Sequence, residues 1–253
     1  MTHKKYSTII FDFFDTVVNF NPNKLPTVNI DGTTIRSTSD VVYKVFQKSY
    51  KHIDFWEFYE AFIGSYKEFE ERKKVEDREY PTRDRFYLMF EKLNVGIEED
   101  AERIIEDLVL AHMGKLSSAV EFPEGNLGVI QSLEERYRLA IVSNFDHAPT
   151  IYGILEKYEI KNYFEEILIS VEVGWRKPNR RIFERAFNLL DIKPQEAICV
   201  GDNPQTDIVG SKSVGMDVIW INRNKNRENL PVAQGIPKPD YEVSEFKEIV
   251  GIL

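Results

Sequence analysis

The sequence predicts an α/β protein whose core is a doubly wound, Rossmann-like parallel sheet, interrupted after its first strand by an all-helical insertion. Three observations carry this. Short non-alternating apolar runs, Thr8–Phe11, Leu139–Val142 and Ala197–Val200, each end abruptly in polar residues. Such runs read as strands buried on both faces, which is the pattern of a parallel sheet. Helical patterns over Leu127–Arg136, Arg180–Leu190 and Asp207–Val214 alternate with them, and strand–helix alternation is the signature of the doubly wound class. Between the first strand and the rest lies a long stretch with no such alternation.

Two further runs complete the expected sheet: Ile167–Ser170, ahead of Gly174-Trp175-Arg176-Lys177, and Val218–Ile221, after Gly215. The core is therefore expected to comprise residues 1–20 and 118–253. Residues 21–117 form the expected helical insertion. It opens with Val28–Ile35, where Asp31-Gly32 between β-formers suggests a small hairpin at 28–35. Phe55, Phe58, Tyr59, Phe62, Ile63, Tyr66 and Phe69 then recur at helical spacing. This aromatic stripe reads as the packed face of a helix bundle rather than a ligand-stacking surface. The mixed-charge stretch Glu70–Tyr80 reads as a solvated helix face. Pro81 with Thr82, and Gly96 with Glu98, mark the next breaks.

Composition bounds the function. The chain has 253 residues, 42% hydrophobic and 30% charged, enough for a sizeable core. The only cysteine is Cys199, so no disulfide framework or cysteine-based zinc site can form within the chain. A reducing, cytoplasmic setting is the simple expectation. No apolar run reaches the roughly 20 residues of a membrane helix, and no cleavage pattern of a signal peptide follows the N-terminus. A net charge of −9 speaks against a nucleic-acid partner held on a basic face. Neither Gly-x-Gly-x-x-Gly nor Gly-x-x-x-x-Gly-Lys follows the first strand, which removes the usual dinucleotide and P-loop motifs. Oligomeric state is not legible.

In doubly wound sheets ligands bind outside the carboxyl ends of the strands. The polar residues that end these runs should therefore meet: Asp12 and Thr16, Ser143 and Asn144, Lys177, and Asp202 with Asp207. Phosphoryl transfer loads charge onto the equatorial oxygens, so positioning and electrostatic stabilisation do most of the catalysis. Mg²⁺ takes oxygen ligands and often binds through one or two carboxylates, which Asp12 and Asp202 can supply. Thr16 and Ser143 can donate to phosphoryl oxygens, and Lys177 can offset the repulsion between Asp12 and an anionic substrate. Taken singly, each has an ordinary reading: Asp12 as a turn residue, Ser143 as a strand-end hydroxyl, Lys177 as a surface lysine, Asp207 as a first-turn acid.

At this point a family resemblance appears. Phe11-Asp12-Phe13-Phe14-Asp15-Thr16-Val17 resembles the first motif of the haloacid dehalogenase-like hydrolases. Val142-Ser143-Asn144 resembles the second, and Gly174-Trp175-Arg176-Lys177-Pro178 the lysine motif. Val200-Gly201-Asp202-Asn203-Pro204-Gln205-Thr206-Asp207 resembles the fourth. The motifs occur in the family's order on both sides of the insertion, where the family carries a helical cap. The resemblance implies a Mg²⁺-dependent hydrolase acting on a small phosphorylated metabolite. Asp12 would be the nucleophile that becomes an aspartyl-phosphate, and Lys177 would assist it. Thr16, Ser143, Asn144 and Lys177 would hold the phosphoryl group. Asp12, the backbone carbonyl of Phe14 and Asp202 would ligate the metal, with Asp207 fixing the metal shell or Lys177.

One position departs from the pattern. Phosphatases of this family carry a second aspartate two residues after the nucleophile, as general acid and base; here it is Phe14, and Asp15 does not automatically replace it. That loss corresponds to about 10²–10⁴ in rate, or roughly 3–5 kcal/mol of barrier. Three readings follow: a phosphatase-like enzyme slow or restricted to good leaving groups, or a phosphotransferase that passes the group to another acceptor; a 2-haloacid dehalogenase; or a weakly active or inactive binding member. The retained Asp202 and Asp207 favour phosphorus chemistry, because halide displacement from carbon needs no metal beside the nucleophile. His147 is the stand-in proton donor to examine, with an ordinary loop role as the alternative. Asp146 beside it could contact substrate or a cap loop. His52 and His112 read as surface or packing residues.

Overall fold

The computed structural model describes residues 6–96, 101–223 and 235–253. Six strands form one parallel sheet: β1 (Thr8–Phe11), β6 (Arg138–Ser143), β7 (Glu166–Ile169), β8 (Ala197–Gly201), β9 (Asp217–Ile221) and β10 (Tyr241–Val243), in the order β10-β9-β8-β1-β6-β7. The α/β, doubly wound sheet with an inserted helical cap is thus as expected. Successive side chains alternate between two buried layers. Ile9, Phe11, Ile141, Ile198, Val200 and Ile219 point to one, and Ile10, Ala140, Val142, Cys199 and Val218 to the other. Burial on both faces explains why these strands read as continuous rather than alternating apolar runs. Each fully buried Ile or Phe contributes about 1.5–3 kcal/mol.

The insertion holds α1 (Ser39–Phe46), α2 (Phe55–Glu76), α3 (Thr82–Lys92) and α4 (Ala101–Ser118). These pack around a separate apolar cluster that includes Val42, Phe46, Phe58, Phe62, Phe86, Met89, Phe90, Ile105 and Leu108. The hairpin is present as β3 (Thr27–Ile30) and β4 (Thr33–Arg36). Asp31 and Gly32 both take positive φ, 48° and 79°, the geometry that Asp-Gly two-residue turns favour. Where the insertion leaves and rejoins the core, β2 (Asn19–Phe20) pairs antiparallel with β5 (Val120–Glu121). Glu98, expected near a helix break, lies outside the described residues. Among the described residues no helix is long and apolar enough to cross a membrane.

The aromatic stripe is only partly a packing face: Phe58, Phe62 and Phe69 are buried, but Tyr66 is 47% exposed. The solvated reading of Glu70–Tyr80 fits Glu71, Arg72, Lys74, Glu76 and Arg78, which are exposed, but fails at two positions. Lys73 and Glu79 are buried, 8% and 6% exposed, because each meets an opposite charge contributed in part by the core.

On the core side, α5 (Asn126–Glu134), α6 (Ala148–Lys157), the short α7 (Ser170–Val173) and α8 (Arg180–Leu190) cover the sheet. Ser170, read as the end of a strand, begins α7 instead. The helix expected at Asp207–Val214 starts earlier, as a π-turn over Pro204–Ile208 that continues into α9 (Val209–Ser213). Pro204 sits in its first turn and the Asn203 side chain accepts from Gln205 N at 3.0 Å.

Candidate active site

The chain reverses direction of winding at β1, which lies between β6 and β8. A doubly wound sheet opens its ligand crevice at such a point. Asp12 follows β1, Ser143 ends β6 and Asp202 follows β8, so three segments far apart in sequence deliver side chains to one edge. Asp12 N donates to Val200 O at 2.8 Å, which continues the ladder one residue past the strand and fixes the nucleophile candidate.

Lys177 is the centre of the cluster. It is 2% exposed, with Nζ donating to Asp12 Oδ1 at 2.6 Å and to Asp207 Oδ1 at 2.7 Å. A surface-lysine role is therefore excluded. Burial works to lower its pKa, but the charges on Asp12 and Asp207 outweigh that and hold it protonated. Asp207 is fully buried and its second oxygen accepts from Asn203 N at 3.0 Å. Gly201 makes this approach possible: a Cβ there would stand 2.3 Å from Asp207 Oδ2. The requirement for glycine is steric closeness, not turn geometry.

Asp12, Asp202 and Asp207 each offer an oxygen within 4.8 Å of the others. Burial pushes Asp12 up to about 6, with Lys177 pulling against it, and pushes Asp202 up to about 7, reinforced by the charges of Asp12, Asp207 and Asp15. Clustered carboxylates in so dry a place with one lysine are short of positive charge. Asp202 is steadied from behind by Trp220 Nε1, which donates to its main-chain oxygen at 2.9 Å.

Two hydroxyls point the same way. Thr16 Oγ1 and Ser143 Oγ are buried without a hydrogen-bond partner. Buried polar atoms are paired in more than about 90% of cases; Ser211 Oγ and Arg85 Nε are orphans too, but Thr16 and Ser143 lie on the segments that follow β1 and end β6, where an oxygen-rich guest would sit. A hard divalent cation matches the all-oxygen donor set. The Phe14 carbonyl, expected as a further metal ligand, is bypassed by the local turn, since Val17 N and Val18 N both bond to Phe13 O.

Asn144, expected beside the phosphoryl group, also has a structural part. Its side chain accepts from Lys177 N at 2.7 Å and donates to Lys177 O at 2.8 Å. The amide thereby holds the lysine loop, whose Lys177–Pro178 peptide is cis, and keeps a second Nδ2 hydrogen to donate.

Phe14 is half-buried, its ring 4.9 Å from Phe145 and 5.1 Å from Phe13. With Phe20, Leu116, Val120, Thr150 and the chain at Asp15 it walls an almost wholly apolar cleft of about 260 Å³. Asp15 is engaged in the local turn: its φ is 56° and its carboxylate accepts from Phe20 N at 3.0 Å. His147 lines a different cleft, with Arg83 and Glu102, and its Nδ1 lies 2.8 Å from Thr150 Oγ1 at the start of α6. It is not among the residues that line the cleft at Phe14. His52 is exposed, and His112 is buried in the cap against Thr38.

Sequence reasoning missed Glu79, Lys73 and Ser170, which tie the cap to this edge of the core. Asp146, read as a residue that could contact a cap loop, does so through Thr82 N and Thr82 Oγ1.

Comparison with known proteins shows the family and the fold. The family described as "Haloacid dehalogenase-like hydrolase" matches residues 29–221, well over half the chain. A glyceraldehyde 3-phosphate phosphatase of Pyrococcus furiosus is 26% identical over 70% of this chain and 72% of its own length. A protein described as a HAD-hydrolase, YfnB of Bacillus subtilis, is 25% identical over 99% of this chain and 96% of its own. The magnesium-bound crystal structure of YfnB superposes with a TM-score of 0.59 at 21% identity, covering 99% of both chains. A 2-haloacid dehalogenase from Pseudomonas syringae shares the fold with a TM-score of 0.71 at 16% identity, covering 98% of this chain and 97% of its own. The chain belongs to the haloacid dehalogenase-like hydrolase family.

Proposed function

We propose that the protein is a Mg²⁺-dependent phosphatase that acts on a small phosphorylated metabolite and favours good leaving groups. The carrying observation is the buried bridge from Asp12 through Lys177 to Asp207, with Asp202 within 4.8 Å of both acids. Asp12, the Phe14 carbonyl and Asp202 would hold the cation, with Asp207 supporting its shell, and the cation would supply positive charge to the phosphoryl oxygens. Residues 21–117 act as the cap that closes the site, and the setting is cytoplasmic.

In the reaction an Asp12 oxygen attacks phosphorus, and the bond from phosphorus to the leaving oxygen breaks with its electron pair going to that oxygen. Lys177 keeps Asp12 ionised and lowers its repulsion with the incoming anion. Thr16 Oγ1 and Ser143 Oγ, unpartnered in the protein, donate to the equatorial oxygens. Water then attacks the same phosphorus, restoring the Asp12 carboxylate and releasing inorganic phosphate. No carboxyl stands at Phe14 to protonate the leaving oxygen or to activate that water. Acyl and aryl phosphates, whose leaving groups need no proton, are therefore the preferred class, and the apolar cleft beside Phe14 suits an aryl or short acyl group. The names of relatives, a glyceraldehyde 3-phosphate phosphatase and a phosphoserine phosphatase, support a small phosphorylated substrate without specifying it.

The test is phosphate release from acyl, aryl and alkyl phosphates with and without Mg²⁺, with Asp12→Asn as control and halide release from 2-haloacids on the same plate. Mg²⁺-dependent release from acyl and aryl phosphates, lost in Asp12→Asn, is the expected result. Halide without phosphate would replace the proposal with dehalogenation, and neither product would favour a binding role.

A further inference from the structure

Glu79 lies in the connection between α2 and α3, in a stretch whose charges should be solvated, yet its side chain is 1% exposed. The carboxylate is enclosed by partners. Lys73 Nζ is 2.9 Å from Oε1, Ser170 Oγ donates to Oε2 at 2.8 Å, and Arg176 Nε stands 3.9 Å away. Lys73 also reaches Asp146 at 3.4 Å. Apolar residues of similar volume often stabilise as well as a buried ion pair, so packing alone does not explain these charges. Their partners do: Ser170 begins α7 just ahead of the lysine loop, Arg176 adjoins Lys177, and Asp146 lies two residues after Asn144, which bonds to the Lys177 main chain.

The main chain makes the same connection. Arg78 forms an antiparallel bridge with Trp175, Arg176 N donates to Asp77 O at 3.1 Å, and Glu79 N donates to Gly174 O at 3.4 Å. The Arg78 guanidinium lies 5.0 Å over the Trp175 ring, and Arg181 from the core lies 4.0 Å over it. The strap 77–79 of the cap thus runs beside the loop that presents Lys177, while Asn144 grips that loop from the other side. Ser170 joins the two grips. Its oxygen accepts from Phe145 N at 2.9 Å, and its single proton is claimed by the Glu79 carboxylate at 2.8 Å rather than the Phe145 carbonyl at 3.2 Å. A charge-assisted bond is shorter and roughly twice as strong as a neutral one. Phe145 is the neighbour of Asn144.

We infer that Glu79 and Ser170 are positioning residues: through the strap and the Asn144–Phe145 turn they hold Lys177 against Asp12, so the lysine is in place only when the cap's strap is seated on the core. The kinetic part of this inference rests on the phosphatase reading. Neither residue touches the reacting atoms. Their reach is through Lys177, where a misplacement of about 1 Å costs on the order of 10²-fold.

The experiment uses the full chain with Glu79→Gln, Ser170→Ala and the double variant. A second set, Lys73→Met with Glu79→Gln, removes both buried charges should the single change unfold the protein. Steady-state kinetics with p-nitrophenyl phosphate and Mg²⁺ should show kcat reduced at least tenfold, with KM changed less than threefold. The double variant should fall no further than the worse single variant, because both act along one path. Hydrogen exchange measured by mass spectrometry should rise at least tenfold in the peptide containing residues 174–177, with β6 and β8 unchanged. Unaltered exchange there overturns the inference whether or not the protein is a phosphatase. Faster exchange with kcat within twofold of the parent also overturns it. Absence of turnover in the parent refutes the phosphatase reading, and the exchange result then decides the positioning claim alone.

Discussion

Phe14→Asp restores a carboxyl two residues after Asp12, and the gain and cost can both be worked from the structure. Phe14 is half-buried against Phe13 and Phe145. Replacing it forfeits part of the roughly 1.5–3 kcal/mol that a fully buried aromatic side chain contributes, so a loss of about 1–2 kcal/mol in stability is expected. For a chain of 253 residues that amounts to a few degrees in Tm. The gain is selective. A general acid contributes about 10²–10⁴ in rate where the leaving oxygen needs a proton, and far less where it does not. Turnover of an alkyl phosphate should rise by about 10²-fold, while acetyl phosphate should gain only through faster breakdown of the aspartyl-phosphate. The cleft of about 260 Å³ beside Phe14 gives the smaller side chain room to turn. The assay is phosphate release from both substrates at saturating Mg²⁺, with Tm recorded alongside. An unchanged ratio of alkyl to acyl turnover in a folded variant would refute the argument that Phe14 sets the leaving-group preference.

Other outcomes follow from the same geometry. Gly201→Ala places a methyl 2.3 Å from Asp207 Oδ2, so it should displace Asp207, abolish activity and cost at least about 1–3 kcal/mol in urea unfolding; a fully active variant would contradict the packing. Mg²⁺ at about 100 times its dissociation constant should stabilise the protein by about 2.7 kcal/mol, several degrees in Tm, and Asp202→Asn should remove most of the response. His112 is pushed down to about 3 by burial and by the neighbouring Arg85 guanidinium. The folded protein therefore keeps it neutral, while the unfolded chain protonates it below about pH 6.5. Its contribution is present above that pH and is lost as pH falls towards 3, by up to roughly 2.7 kcal/mol at pH 4.5. Unfolding free energy measured from pH 7 to 4.5 should fall less steeply in His112→Gln, and equal slopes would discount the histidine.

What could be read from the chain reflects which forces are local. The strands were legible because burial on both faces leaves continuous apolar runs, and α8 matched Arg180–Leu190 because Asn179 caps its start and Asp191 takes the left-handed conformation at its end. The convergence of Asp12, Lys177, Asp202 and Asp207 was legible because a parallel sheet brings its strand ends together. The contact between Asn144 and the Lys177 main chain was not legible, because it depends on the approach of a segment 33 residues away. The start of the helix before Asp207 was missed because a π-turn has no distinct residue pattern. Glu79 was missed for a stronger reason. Its burial depends on Ser170 and Arg176, and nothing near Glu79 in sequence distinguishes it from its solvated neighbours.

The most direct test asks whether residue 12 itself takes up the phosphoryl group. The full-length protein is mixed with acetyl phosphate and Mg²⁺, quenched with borohydride and mapped by peptide mass spectrometry, since reduction of an acyl phosphate converts aspartate to homoserine. With no carboxyl at Phe14 to speed hydrolysis, the account predicts homoserine at position 12, dependent on Mg²⁺ and absent from Asp202→Asn. Phosphate release that persists in Asp12→Asn, or a modified residue elsewhere, would contradict it.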